Sequence, residues 1–94
     1  MDPVDHAIEE PLGAIIVEGQ RCQVWLRSEP DERGTWHNAV LFRRVGKLGA
    51  GETVAAGVEW HLPPDLALPR ARALEDMERL ELYQRALRPR PPLA

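Results

Sequence analysis

The chain contains one cysteine, Cys22, and three histidines, His6, His37 and His61. A thiol nucleophile needs a base within hydrogen-bond reach and a third group that orients the base. Cys22, His37 and Asn38 are the right residue types for such a relay, but their spacing opposes it. His37 and Asn38 are adjacent, and on a strand adjacent side chains leave opposite faces. Cys22 also alternates in phase with Val24 and Leu26, where a free thiol behaves as a small apolar side chain. No catalytic residue is assigned.

His6, His37, His61, Glu59 and Cys22 are the available metal ligands. None forms the short C-x-x-C or H-x-x-x-H spacing that makes a site legible. Glu59 and His61 share one face of a period-two stretch, and His37 lies opposite them if the two strands pair. That arrangement reads as polar surface, so neither metal nor cofactor is assigned. The glycines at 46, 49 and 51 invite a phosphate-loop reading, yet they fall in the reverse order of a dinucleotide loop. Residues 52 onward read as a strand, so there is no helix N-terminus to hold an anion. Residues 46 to 51 are a flexible connection.

Trp and Arg remain. Arg21, Trp25 and Arg27 alternate on one face of a candidate strand, with Arg43 and Arg44 on another. Such an aromatic and basic sheet face can stack bases. Against this, the chain carries a net charge of −3 with a single lysine, Lys47, and nucleic-acid affinity comes largely from phosphate neutralisation. Arg43 and Arg44 also point to opposite sides. Trp and Arg are equally the residues that dominate protein interfaces.

The elements that position these residues emerge from periodicity. Residues 1 to 11 form an acidic arm holding Asp2, Asp5, Glu9 and Glu10. LGAIIVEGQRCQVWLRS then reads as a hairpin around Glu18-Gly19, with Cys22, Val24 and Leu26 inward. SEPDERG, residues 28 to 34, is turn chemistry. In RGTWHNAVLFRR, alternation sends Trp36, Asn38, Val40 and Phe42 to one side and Thr35, His37, Ala39 and Leu41 to the other. The first side is the apolar one and is expected inside. Val54, Ala56, Val58, Trp60 and Leu62 alternate cleanly, which predicts a strand over 52–62 unless its Ala and Gly make it a short helix.

Pro63-Pro64 stops that element. Pro69 suits a first helical turn, and ALEDMERLELYQRAL is rich in helix formers. One helix is expected, with Ala73, Met77, Leu80 and Leu87 inward, Leu74 and Tyr83 at the stripe's edges, and Leu82 outward. RPRPPLA leaves an extended tail at 89–94. The fold class is α+β: a small antiparallel sheet of three to four strands, followed by one C-terminal helix packed on a face. A single domain spans residues 12–88.

Ninety-four residues, 44% hydrophobic and 29% charged, suit one globular domain and are too apolar for a disordered chain. A single cysteine closes no intrachain disulfide, the acidic start is unlike a secretory signal, and the longest apolar run, residues 12–17, is far too short to span a membrane. A cytoplasmic location with no membrane partner is the expectation. The strand–strand–strand–helix order is similar to that of small antitoxin and regulatory domains of the HicB type. That likeness is one of element order, and no residue role is carried over from it.

Enzymes normally show convergent polar groups in a pocket, and none is visible here. The expected function is therefore binding: a non-catalytic accessory subunit, regulator or inhibitor whose partner is another protein or a second copy of the chain. The alternative is a binder of RNA or single-stranded DNA. The partner-binding residues assigned are Trp25, Arg27, His37 and Arg43 on the outward sheet face, with Arg79 and Leu82 on the outer side of the helix.

Overall fold

Why the strands pair as they do is set by two turns. Glu18 and Gly19 both have positive φ, 51° and 77°, as a two-residue hairpin turn of the primed type requires. They join β1 (Ile8–Val17) to β2 (Gln20–Pro30). Asp31 builds the next connection. Its Oδ1 accepts the backbone N–H groups of Arg33 and Thr35, both at 2.9 Å, and Gly34 takes a positive φ of 81°. β3 (Trp36–Val45) and β4 (Gly51–Val58) complete an antiparallel sheet in the order β1-β2-β3-β4. The structure, a computed structural model, describes residues 7–45 and 51–88. The glycine-rich connection at 46–50, the first six residues of the acidic arm and the tail at 89–94 lie outside the described residues.

Alternation places the apolar set as expected. Cys22, Val24, Val40 and Phe42 are fully buried on one face together with Ile15. Two helices cover this face. α1 (Pro64–Arg72) contributes Ala67 and Ala71, which bury against Leu26. α2 (Asp76–Leu87) contributes Tyr83, whose ring meets Phe42 edge to face at 5.4 Å.

Three expectations need correction. The acidic arm does not stop short of the sheet, because Ile8 to Pro11 belong to β1. Glu9 draws them in by pairing with arginines on β2 and β3. The fourth strand ends at Val58, not at residue 62. Trp60 and Leu62 keep the apolar alternation because they pack against the Leu26–Ala67–Ala71 cluster beside α1.

The single expected helix is two. α1 starts at Pro64, so Pro69 sits inside it and offers no N–H to the carbonyl four residues back. The helix ends three residues later. α2 restarts on a capping box, with Glu75 and Glu78 each accepting the other's backbone N–H. The restart rotates the buried stripe. Arg79 and Tyr83 are its centre, with Leu82 and Ala86 half-buried, while Met77, Leu80 and Leu87 are exposed.

Candidate functional site: the uncovered sheet face

Neither helix packs on the second face of the sheet. Trp25, Arg27, His37 and Arg43 all reach it, since Trp25 pairs with Leu41, Arg27 with Ala39, Glu29 with His37 and Gln23 with Arg43. The expected grouping of these four residues is therefore observed. At its centre Leu41 is only 6% exposed although no helix lies above it. Its cover is local. Arg43 on β3 stacks its guanidinium 4.9 Å from the Trp25 ring centre on β2 and donates from Nη2 to Glu9 Oε1 on β1 at 2.7 Å. The ion pair thus bridges three strands over the indole.

Glu9 is shared. Its Oε2 lies 3.5 Å from Arg27 Nη1, and Arg27 also reaches Glu29 at 3.7 Å. Beneath this network the Trp25 indole N–H is buried with no acceptor among the described residues. A buried donor without a partner costs stability until something accepts its hydrogen. Toward β4 the face becomes a shallow groove floored by Ala39, Leu41, Ala55 and Gly57, with Arg27, Glu29, His37, Glu59 and His61 around it.

His37 stands at the rim of this groove. Its Nε2–H donates to Asp31 Oδ2 at 2.8 Å, and its ring meets His61 edge to face at 5.4 Å. His61 in turn donates from Nδ1 to the Trp36 carbonyl at 3.2 Å. The hydrogen bond from His37, with the backbone N–H of Thr35 next in weight, holds the Asp31 carboxyl below the usual carboxylate range. No group of three or more His, Cys, Asp or Glu side chains is set to hold a metal ion among the described residues.

Asn38 and Cys22 lie on the other face. Asn38 is buried, accepts from Ser28 Oγ at 2.5 Å, and donates to the Trp60 and Leu62 carbonyls at 2.6 and 3.0 Å. It fastens the chain leaving β4 and takes no part in a site with His37. Burial pushes the Cys22 thiol above its ordinary pKa, with the Arg44 charge opposing. Cys22, His37 and Asn38 do not converge.

The two helix residues assigned to the outer surface are placed elsewhere. Arg79 is buried, and its guanidinium caps three carbonyls: Leu12 at 2.8 Å, Leu74 at 3.1 Å and Ala71 at 3.5 Å. An arginine fork has enough planar donors to serve several acceptors at once. Leu82 is half-buried against the Tyr83 and Phe42 cluster. The phase shift at Glu75 turned both residues inward.

Sequence reasoning did not single out Glu9 or Leu41. Glu9 lay in the acidic arm, and only its apolar neighbour Ile8 hinted at a strand. Leu41 alternates with His37 and Ala39 and so read as the outer side, and its burial across the ladder from Trp25 leaves no mark in the pattern. No family model, curated protein or solved structure matches the chain.

Proposed function

We propose that the chain is a non-catalytic binding module, a small accessory subunit, regulator or inhibitor, that docks another protein on the uncovered sheet face. The observation that carries this reading is the sharing of Glu9 by Arg27 and Arg43. A face built to hold phosphates leaves its arginines free, because affinity comes from neutralising the phosphate charge. Here the two arginines flanking Trp25 already have a carboxylate. What remains is a charge-paired patch over Trp25 beside a groove floored by Ala39, Leu41, Ala55 and Gly57 with a polar rim, an anatomy that suits a protein partner.

Among the described residues no helix is long and apolar enough to cross a membrane. A cytoplasmic setting is part of the proposal.

The test is the native mass of the protein purified from its own host, at low and at high salt, for the wild type and Trp25→Ala. The reading expects an assembly that contains a second, different polypeptide and survives high salt, with that polypeptide lost in the variant and the variant's unfolding still cooperative. An assembly that dissociates with salt and absorbs as nucleic acid would replace this reading with RNA or single-stranded DNA binding through the same Trp and Arg residues. A lone 10.6 kDa species at both salts would overturn both.

A further inference from the structure

The outer edge of β1 is a second surface, separate from the open face. Because the Glu18-Gly19 turn closes through Val17 and Gln20, Val17 bonds inward. The antiparallel alternation then leaves the backbone N–H and C=O of Ala14 and Ile16 pointing away from β2. Leu12 is in the same phase, and Arg79 takes its carbonyl. Pro11 beyond it has no N–H to offer. The uncapped stretch is therefore Gly13 to Val17, which carries no charge. Apolar side chains flank it on both sides. Ile16 is 68% exposed on the open-face side, and Met77 and Leu80, at 71% and 37%, stand on the helix side. Ala14, Ile15, Ile16, Met77 and Leu80 line one groove along this edge, with Asp76 the single charged residue at its wall.

We propose that this groove takes β1 of a second copy of the chain, antiparallel about a two-fold axis through Ile15, so that two sheets join into one of eight strands. The register is set by which residues face outward. Self-pairing can set Ala14 opposite Ala14, Ala14 opposite Ile16, or Ile16 opposite Ile16. The first places Glu18 opposite Glu10 of the second copy, and like charges directly opposite are destabilising. The third puts Gly13 against Gly19 in the turn and shortens the overlap.

The middle register opposes Ile15 to Ile15 and Gly13 to Val17, with no like charges facing. It gathers Met77 and Leu80 of both copies on one face of the joined sheet, and the side chains of Ala14 and Ile16 of both on the other. An uncharged exposed edge is suited to pairing with an identical edge, whereas chains that stay single block such edges with lysine, proline or a bulge. Here proline and bulge stop just short of the stretch. Each copy's open face remains free in this arrangement, and the pair presents it twice.

The experiment is sedimentation velocity over a rising concentration series, with amide hydrogen exchange read at both ends of it. The wild type is expected to move toward twice the chain mass, while the Ala14 and Ile16 amides slow with it. Ile16→Lys and Met77→Glu change exposed side chains, so their circular dichroism should match the wild type while both stay at the monomer mass. A wild type that remains monomeric throughout overturns the proposal. So does a dimer that persists in Ile16→Lys, and so does a dimer in which the Ala14 and Ile16 amides exchange as fast as in the monomer.

Discussion

At the scale of single residues, the buried guanidinium of Arg79 and the exposed carboxylate of Asp31 do opposite jobs. Arg79 ties β1, α1 and α2 together through three carbonyls. Removing it strands buried acceptors, the costly half of a lost hydrogen bond. Arg79→Ala is expected to lower stability by about 3 kcal/mol, read as a fall in the urea midpoint with an unchanged slope. A change below about 0.5 kcal/mol, typical of a surface substitution, would show that the fork is dispensable. Asp31 is a pH question. Its folded pKa is depressed, first by His37 and then by the Thr35 N–H. A depressed carboxylate stabilises the folded state above its unfolded pKa of about 3.9 and loses that contribution as pH falls through the lower folded value. In His37→Ala the carboxyl should therefore titrate closer to its ordinary range, as followed by its carboxyl carbon resonance. Identical titrations in the two proteins would remove His37 as the cause.

At the scale of elements, the hairpin turn holds a residue in an uncomfortable place. Glu18 has a φ of 51°, a region that disfavours side chains other than Asn, Asp and Gly. Glu18→Asn should raise stability by about 0.5–1 kcal/mol, seen as a higher thermal midpoint, and a lower midpoint would mean that Glu18 makes a compensating contact. The same elements show how far the sequence could be read. Most of the sheet was legible, because β2, β3 and β4 alternate apolar and polar residues and the first two turns use Gly and Asp at positions with a physical need for them, whereas the start of β1 and the end of β4 were misplaced. Trp25, Arg27, His37 and Arg43 fell on one face for the same reason. The helices were less legible. Pro69 and the Glu75-x-x-Glu78 box mark a break, but glutamate is an uncommon N-cap and the leucine and methionine spacing runs through the break undisturbed. What misplaced Arg79 and Leu82 was periodicity applied across two helices as if they were one.

At the scale of the whole molecule, α2 reaches both margins of the sheet. Arg79 binds the Leu12 carbonyl on β1, and Arg85 donates to the Gly57 carbonyl on β4. β1 and β4 are the two edge strands, so one helix caps part of each. A chain shortened to end at Ala73 would keep all four strands and lose both caps. It is expected to accumulate in the pellet on expression while the intact chain stays in the supernatant, because unpaired strand edges recruit one another. A soluble, β-rich shortened protein would show that α2 is not what protects the sheet.

The double reach of α2 has a consequence in time. All four strands pair with their neighbours in sequence, so the sheet can zip up as each strand leaves the ribosome, and local pairings of this kind close quickly. The residues that seal its margins are translated only after the last strand is complete. Between those two moments the strands that have left the ribosome stand with bare borders, the state in which growing chains are most prone to associate wrongly. The interval is short only if translation through residues 59–85 is prompt. Slowing it with rare codons, which leave the finished protein chemically identical, should therefore lower the soluble yield.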